Sequence, residues 1–546
     1  MPLPTQLARR DLLRLGVGFA AASALRADVT VPVVTKVVNT AFGKVQGFTN
    51  SGVEVFKGIR YGAPPIGPLR FQPPQKPKPW KDVADATGFG PPAIQMAPRL
   101  SSSPATDFAR QLTTIYPTPA EIKIQNEDCL FLNVWTPGAG AGKRPVMVWL
   151  HGGGYAYGSG AWPIYDGANL ARKGDVVVVT LNHRLNLFGY LYLGDLANGK
   201  YAQSGNAGML DLVAALEWVR DSIEAFGGDP GNVTIMGESG GGAKVSTLLA
   251  MPRAKGLFHR AIIQSGPGLR GVPAEAATRI AKGLLDELKI GAADIKALET
   301  IPATDIVAAG VAAAMQAGGP MAGMMRIAPV VDGVVLPSDP FTPAAPAISA
   351  AVPILIGSNK DEMTLFTAGE PWFGTLTETQ LAERAKALAG TKSEALLAAF
   401  RKLHPDYSPT YLLVQLMTAP TMFVGSITLA ERKAAQNSAP AYMYYLVWET
   451  PVANNRFRSP HTLDIPLMFS NVDKARVLVG PGEQPEIVAR QMSDAWLAFA
   501  RAGNPNAASL PNWPAYTAER RATMLFDVES RVADDPNAEV RKILQS

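Results

Sequence analysis

The chain has 546 residues, of which 47% are hydrophobic and 18% charged, a composition typical of a globular protein with a sizeable core. The net charge of +5 is too small for nucleic-acid binding, and no Lys/Arg run lies outside the N-terminus. The single cysteine, Cys129, excludes an intrachain disulfide, and its place in an apolar strand-like run predicts a buried, inert thiol.

The N-terminus has the order of a targeting segment. Arg9 and Arg10 precede the apolar residues 15–22, and the small residues 22–24 follow. Charged, apolar and small segments in this order predict a secretory signal, and the paired arginines favour the bacterial twin-arginine route. We therefore expect residues 1–24 to direct export to the periplasm or the medium. No other run reaches the roughly 18 apolar residues of a membrane span, so no integral membrane segment is expected in the mature chain.

The remaining chain predicts a domain built on one large sheet. Residues 31–60 alternate apolar and polar in short runs, which predicts a small antiparallel meander at a sheet edge. Residues 86–126 are irregular and rich in Pro, Ser and Thr, as in a rim or lid. From residue 127 apolar strands alternate with helices, which predicts a mostly parallel, buried sheet flanked by helices. Residues 270–450 predict a helical, cap-like region. Without an internal repeat or linker, residues 31–546 are expected to form one domain.

A serine motif marks the centre of the predicted sheet. The strand-like residues 233–235 are followed by Gly-Glu-Ser-Gly-Gly at 237–241 and then by a helical pattern. Strand, sharp turn and helix are the context of a nucleophile elbow. Such a turn strains the backbone of Ser239, which flanking glycines tolerate, and it points the N–H of Gly240 at a developing oxyanion. The alternative is a glycine-rich loop that begins an ordinary helix.

A second glycine run, His-Gly-Gly-Gly-Tyr at 151–155, follows the apolar strand 146–150. Glycines at a strand end leave backbone N–H groups free to face a ligand, as in the oxyanion loop of esterases. We expect Gly153 and Gly154 to donate alongside Gly240, with a structural tight turn as the alternative. His151 is expected to support the loop rather than to act as a base.

A serine elbow requires a base and an acid, in the chain order serine, acid, histidine. Three histidines follow the serine: His259, His404 and His461. His461 lies in a loop before an apolar segment, and loops at strand ends carry catalytic groups. The loop after the strand 352–357 contains Asp361 and Glu362, and either carboxylate could serve as the acid.

Together these features resemble the type B carboxylesterases, the branch of the α/β-hydrolase fold that includes cholinesterases and bacterial para-nitrobenzyl esterases. The similarity covers nearly everything from residue 34 onward. The segments that carry it, besides the two glycine motifs, are 58–71, 127–130, 182–185, 205–208, 226–230, 264–266 and 503–506. The resemblance implies an α/β-hydrolase fold and a Ser-His-Glu triad of Ser239, His461 and Glu362, with Asp361 left to a structural role.

The resemblance also implies supporting contacts. Ser265 is expected to hydrogen-bond the catalytic acid, Glu238 to support the site, and Arg70 to form a structural salt bridge with Glu127. Two departures from the family pattern follow. The partner cysteine of Cys129 would fall near Ala93, so the rim loop lacks its usual disulfide and is expected to be more mobile. The residue after the nucleophile is usually alanine, whereas this chain has Gly240.

The expected activity is hydrolysis of a small-molecule carboxylic ester through an acyl-enzyme, without a metal or cofactor. One alternative is an adhesion protein of the same family that lost its nucleophile, and another is a lipase, an amidase or an esterase for a bulky ester. Acyl preference and oligomeric state stay open. The candidates for the pocket lining are the apolar segments 315–325, 371–373 and 420–423.

Overall fold

The computed structural model describes residues 33–95, 112–117, 124–197, 199–316 and 327–546. The predicted signal segment, residues 1–24, lies outside the described residues. So do parts of the rim segment and most of the candidate lining segment 315–325.

In the described part of the chain, twelve strands form one mixed sheet in the order β1-β4-β5-β7-β9-β8-β10-β11-β14-β15-β16-β17. The strands are β1 (Val33–Val34), β2 (Val38–Asn39), β3 (Lys44–Gln46), β4 (Phe48–Asn50), β5 (Val53–Arg60), β6 (Val83–Asp85), β7 (Phe131–Thr136), β8 (Arg144–Leu150), β9 (Val177–Leu181), β10 (Gly228–Glu238), β11 (Arg260–Gln264), β12 (Val272–Pro273), β13 (Val330–Val331), β14 (Ile354–Asn359), β15 (Ala441–Leu446), β16 (Ala522–Phe526) and β17 (Arg531–Asp534). Pairings from β9 through β16 are parallel, and the pairings at both edges are antiparallel.

Helices cover both faces of this sheet. They are α1 (Ala168–Gly174), α2 (Asn186–Tyr190), α3 (Ala207–Ser222), α4 (Gly240–Leu248), α5 (Ala274–Leu288), α6 (Ala303–Gln316), α7 (Thr364–Thr367), α8 (Glu378–Ala389), α9 (Ser393–Leu403), α10 (Pro409–Thr418), α11 (Val424–Ala434), α12 (Asp464–Met468), α13 (Arg476–Val479), α14 (Gln484–Ala502) and α15 (Ala538–Gln545). Residues 452–455 form only a short turn, because Ala453 and Asn454 have left-handed backbone angles.

The core lies in two layers because side chains alternate across a strand. In β8, Val146, Val148 and Leu150 join the apolar layer that contains the buried face of α3. Met147 and Trp149 point the other way, into the layer that contains α14. A strand that is apolar on both faces therefore lies in the middle of the fold, which explains the continuous apolar runs of the sequence.

The expected meander is present, with β1, β4 and β5 antiparallel at one edge of the main sheet. Strands β2, β3 and β6 form a separate small sheet beside it. The mostly parallel character holds for the centre of the sheet only. An α/β fold with helices on both faces is thus confirmed, with mixed edges.

One stretch, Pro409–Ala434, is long and apolar enough to cross a membrane by length and composition, with a mean hydropathy of 1.6. It comprises α10, a π-helical turn at Ala419–Phe423 and α11, and 72% of its most apolar window is buried inside the fold. Its apolar side chains contact the protein core, as in the core helix of a folded domain.

Candidate active site

Ser239 lies on the turn between β10 and α4. Its backbone angles, φ 58° and ψ −123°, are strained for a residue with a side chain. The Ser239 N–H donates to the carbonyl of Gln264 at 2.8 Å, which anchors the turn to the end of β11. Ser239 is partly exposed although both of its neighbours are buried. The turn therefore presents one hydroxyl at the carboxyl edge of the sheet.

Two glycines of the motif are required by close backbone contacts. A Cβ on Gly237 would lie 2.6 Å from the carbonyl carbon of Gly241, and a Cβ on Gly241 would lie 2.0 Å from the carbonyl oxygen of Leu150. Any side chain at these positions would push α4 away from β8 and β10. The elbow geometry expected from the motif is thus present.

The 151–154 loop reaches the same turn from the end of β8. Gly153 and Gly154 have positive φ angles of 82° and 60°. A Cβ on Gly240 would lie 2.2 Å from the carbonyl oxygen of Gly154, so the loop packs directly on the residue after the serine. The N–H groups of these three glycines make no backbone hydrogen bond within the described part of the chain.

The imidazole of His461 is held on one side by Glu362. Glu362 Oε2 lies 2.5 Å from His461 Nδ1, and both side chains are buried. Glu362 Oε1 accepts hydrogen bonds from Ser265 Oγ at 2.6 Å and from the Asn359 N–H at 2.7 Å. The contact expected between Ser265 and the acid is present, and the carboxylate is fixed by three neighbours.

The other ring nitrogen faces Glu238, the residue that precedes the serine. His461 Nε2 lies 3.1 Å from Glu238 Oε1. Within the described residues, the Ser239 hydroxyl makes no hydrogen bond to the ring. Burial opposes protonation of the ring, but the charges of Glu238 and Glu362 more than offset it and raise the pKa of His461 to about 9. Burial also raises the pKa of Glu238 well above its usual range, against the attraction of the His461 cation.

Asp361 does not contact His461. Its oxygens accept from Tyr407 Oη at 3.1 Å, Gln415 Nε2 at 2.8 Å and the Ser459 N–H at 3.2 Å. Burial raises the pKa of Asp361 to about 6. Of the two carboxylates in this loop, only Glu362 reaches the imidazole.

The remaining histidines have structural contacts. His259 Nδ1 accepts from the Val233 N–H at 3.1 Å, and the ring of His404 stacks on Tyr407 at 4.3 Å. His151 Nδ1 lies 2.9 Å from the carbonyl of Gly152, and its ring stacks on His183 at 4.9 Å. Burial and the nearby Lys244 lower the pKa of His151 to about 3, consistent with a supporting role.

Sequence reasoning missed Lys244. This residue is fully buried in α4, and its ammonium donates to the carbonyls of His151 and Gly154, at 2.9 Å each. Burial lowers the pKa of Lys244 to about 7. A charged residue five positions after the nucleophile, in a helix of small and apolar residues, was the signal that could have identified it.

The sequence also predicts a salt bridge at Arg70 and a buried thiol at Cys129. Arg70 forms a bidentate pair with Glu127, at 2.7 Å from Nε and 2.5 Å from Nη2. Cys129 and Ala93 are both buried in the same apolar layer, and burial raises the pKa of the thiol. The salt bridge and the burial of the thiol are confirmed, whereas the inertness of the thiol and the greater mobility of the rim stay predictions.

The described residues of the candidate lining segments range from buried to exposed. Phe373 and Phe423 are both buried. Pro420 and Thr421 are exposed on the π-helical turn. The aromatic ring that faces the site is one the sequence reading omitted, Phe366, which is 40% exposed and lies 5.1 Å from the ring of His461. Within the described residues, no group of three or more His, Cys, Asp or Glu side chains could hold a metal ion.

Comparison with known proteins shows the family of the chain. Residues 34–543 match the model of the carboxylesterase family. The chain belongs to the carboxylesterase family. Like its relatives it is a carboxylic ester hydrolase with the α/β-hydrolase fold, and its reaction type is that of a serine hydrolase.

Several relatives match over almost their whole length. The para-nitrobenzyl esterase of Bacillus subtilis is 36% identical over 524 residues, which cover 93% of this chain and 98% of the relative. The fumonisin B1 esterase of Sphingopyxis macrogoltabida is 33% identical, with 95% and 92% covered. The crystal structure of the carboxylesterase EST55 from Geobacillus stearothermophilus has a TM-score of 0.79 and 41% identity, with 94% of this chain and all of that chain covered.

Proposed function

We propose that this carboxylesterase hydrolyses small-molecule esters through an acyl-enzyme on Ser239, with His461 as general base and Glu362 as its orienting acid. One observation carries the proposal. The imidazole is bound by Glu362 at Nδ1, and its Nε2 lies 3.1 Å from the residue that directly precedes the strained, partly exposed serine. A buried base beside an exposed nucleophile is the arrangement that activates a hydroxyl.

The Nε2–Glu238 contact corresponds to the protonated, resting ring. Once that proton is lost, Nε2 can accept the proton of the Ser239 hydroxyl as the oxygen attacks the ester carbonyl. His461 then gives the proton to the departing alcohol, and water hydrolyses the acyl-enzyme by the same steps in reverse. Glu362 holds the ring in one tautomer and stabilises its cation throughout.

The oxyanion of the tetrahedral intermediate is assigned to the N–H groups of Gly153, Gly154 and Gly240. All three belong to backbone that meets at the elbow, and none donates to another backbone group in the described part of the chain. Each such donor contributes about 3–4 kcal/mol to the transition state when it is aligned in advance. Three donors are therefore the largest electrostatic contribution available at this site.

The substrate class follows from the relatives and from the aromatic ring next to the base. The Bacillus relative is named for a para-nitrobenzyl ester and the Sphingopyxis relative for fumonisin B1, so related sites accept esters of very different size. The partly exposed ring of Phe366, beside His461, favours an apolar or aryl group at the reacting centre. We infer a preference for apolar esters over charged ones.

Activity against p-nitrophenyl acetate, butyrate and octanoate tests this function. The wild type should hydrolyse at least one of these esters and be labelled by a fluorophosphonate on the peptide that contains residue 239. Ser239→Ala should lose about 10⁵–10⁶-fold in kcat and all labelling, while its melting temperature stays near that of the wild type. Ser426→Ala, at a buried serine of α11, is the control for the same substitution and should keep full activity.

Two outcomes contradict the proposal in different ways. An inert, unlabelled wild type would favour the adhesion-type alternative, because the fold would then be present without chemistry. Residual activity in Ser239→Ala above about 1% of the wild type would place the nucleophile elsewhere. The same substrates also separate the alternative hydrolases. A steep rise of kcat/KM with acyl length would favour a lipase-like preference, and cleavage of matched anilides at rates similar to those of the esters would favour an amidase.

We also propose that residues 1–24 direct export through the twin-arginine route, on the strength of Arg9, Arg10 and the apolar stretch that follows. Expression of the full chain in a bacterium should place esterase activity in the periplasmic fraction or the medium. Replacing both arginines by lysine should keep it in the cytoplasm. Equal distribution of the two proteins would contradict this assignment.

A further inference from the structure

Lys244 is a fully buried cation next to the elbow. It lies in α4, five residues after Ser239, with 0% of its surface exposed. Its ammonium donates to the carbonyls of His151 and Gly154, both at 2.9 Å, and lies 5.5 Å from the centre of the Tyr155 ring. Within the described residues, no carboxylate lies at ion-pair distance from it, and burial is the one cause of its lowered pKa.

Burying an unpaired ammonium disfavours folding, since the charge loses its water and gains no opposite charge. An apolar side chain of the same length, such as methionine, would fill this space without that cost. Lys244 must therefore provide something that packing alone does not. Its two partners indicate what this is, because they are the first and last residues of the 151–154 loop.

That loop has little intrinsic preference for its conformation. Gly153 and Gly154 carry no side chains and have left-handed backbone angles, so other conformations are open to them. The carbonyls at the two ends are turned into the protein, where an unpaired acceptor would be unfavourable. One ammonium satisfies both carbonyls, and it belongs to the helix that begins directly after Ser239.

Gly240 also packs directly against the loop. A Cβ at this position would lie 2.2 Å from the carbonyl oxygen and 2.5 Å from the nitrogen of Gly154. The loop thus contacts both the first residue of α4 and a side chain one turn further along the same helix. Helix and loop form one unit, which keeps the N–H groups of both at fixed positions relative to the nucleophile.

We propose that Lys244 is a positioning residue for ester hydrolysis, which ties the 151–154 loop to α4 so that the amides of Gly153 and Gly154 stay aligned with that of Gly240. The inference rests on the proposed function, because it assigns these amides to the oxyanion. Lys244 does not touch substrate, and it acts through the loop. Both the charged and the neutral amine have at least two N–H donors, so the two carbonyls can be held on either side of its pKa.

Lys244→Met removes the donors and keeps the length of the side chain. Misplacement of the loop should lower kcat about tenfold to a hundredfold and leave KM within about twofold, because the lost interactions form in the transition state. The affinity for an aryl trifluoromethyl ketone, which adds to the serine and mimics the tetrahedral oxyanion, should fall by the same factor as kcat/KM. Lys244→Gln, which keeps an amide NH₂ on a shorter chain, should lie between the wild type and the methionine variant, and it provides the measurement if the methionine variant does not fold.

Lys433 offers a matched control. It is also a buried lysine, 2% exposed, and it donates to the carbonyls of Ser349 and Ala350, at 3.0 Å and 2.7 Å. These carbonyls precede β14, so they lie at the amino ends of the parallel strands, whereas Ser239 lies at the carboxyl ends. Lys433→Met should lower the melting temperature without changing kcat or affinity for the ketone.

The inference is overturned if Lys244→Met keeps kcat and ketone affinity within about twofold of the wild type. It is also overturned if Lys433→Met loses as much of both. The proposed function fails separately, if the wild type is inert or Ser239→Ala remains active. An active wild type, an inert Ser239→Ala and a fully active Lys244→Met would retain the triad and reject the role of Lys244 alone.

Discussion

The two sides of the His461 ring differ in how firmly they are held. On the Nδ1 side, Glu362 is fixed by Ser265 and Asn359 as well as by the ring itself. On the Nε2 side, Glu238 Oε1 has no hydrogen-bond partner within the described residues, and its ion-pair contact with Nε2 is long, at 3.1 Å. Glu362 thus has two firm hydrogen bonds besides its contact with the ring, whereas the ring-facing oxygen of Glu238 has the ring alone, although the Thr462 N–H also donates to that carboxylate.

The difference separates two tasks that a general base must combine. The imidazole has to keep one orientation through the reaction, which requires a partner that does not move. It also has to exchange a proton with the nucleophile, which requires a partner that can be released. In the proposed mechanism, Glu362 in the loop after β14 serves the first task and Glu238 at the end of β10 serves the second, and burial of both acids strengthens each interaction.

Glu362→Gln should cause the largest loss of activity, because it alters the firmly held side of the His461 ring. A glutamine keeps the shape and can still accept from Ser265, but it lacks the charge that stabilises the imidazolium and no longer selects the tautomer. We expect kcat/KM to fall about 10³–10⁴-fold with a folded protein, measured with p-nitrophenyl butyrate and by thermal unfolding. A loss smaller than tenfold would mean that Glu362 is not the orienting acid.

Glu238→Gln should act on the other side of the ring and change the pH dependence. The charge of Glu238 is the largest contribution that raises the pKa of His461, to about 9. Without that charge, the ascending limb of kcat/KM should move to lower pH. The same shift should appear in the ¹⁵N chemical shifts of the ring during a titration. An unchanged limb would show that Glu238 does not control the proton on Nε2.

The raised pKa of His461 also predicts how the stability of the wild type and of Glu238→Gln changes with pH. Because the pKa of His461 is raised, the contribution of its charged form is fully present below about pH 6.5 and is lost as the pH rises through 9. The melting temperature of the wild type should therefore fall between pH 7 and 9.5, and Glu238→Gln should flatten that decline.

The sequence was sufficient to predict these partners where chemistry forces particular residue types. A strained turn with close backbone contacts requires glycine at 237 and 241, and continuous apolar strands require a buried sheet. Chain order alone left Asp361 and Glu362 open, and the family resemblance separated them. Their contacts explain why the residue types alone do not distinguish them. Both side chains are buried in one loop, and only the direction of each side chain decides which carboxylate meets His461.

Other features depend on contacts between distant segments and have no local signal. Phe366 was not predicted near the base because its place depends on how α7 packs against the loop of His461. Phe373 and Phe423, two candidates for the lining, are buried, and their place in the lining stays a prediction. Lys244 had a local signal, because it is a charged residue in an apolar helix. Its role could not be predicted from that signal, since the carbonyls that it binds lie about 90 residues earlier in the chain.

Ser265→Ala is the smallest perturbation of the rigid side and tests whether its rigidity contributes to catalysis. It removes one of three contacts to Glu362 and leaves those of Asn359 and His461 in place. A hydrogen bond to a charged group contributes about 1.5–3 kcal/mol, so we expect a lower melting temperature and a loss in kcat of about tenfold or less, with KM unchanged. Ser426→Ala removes a buried hydroxyl that has no hydrogen-bond partner within the described residues, and it should change neither quantity. If Ser265→Ala lowered the melting temperature but left kcat and its pH profile intact, the third contact would serve the fold alone. The orientation of the ring would then depend on Glu362 and Asn359 only.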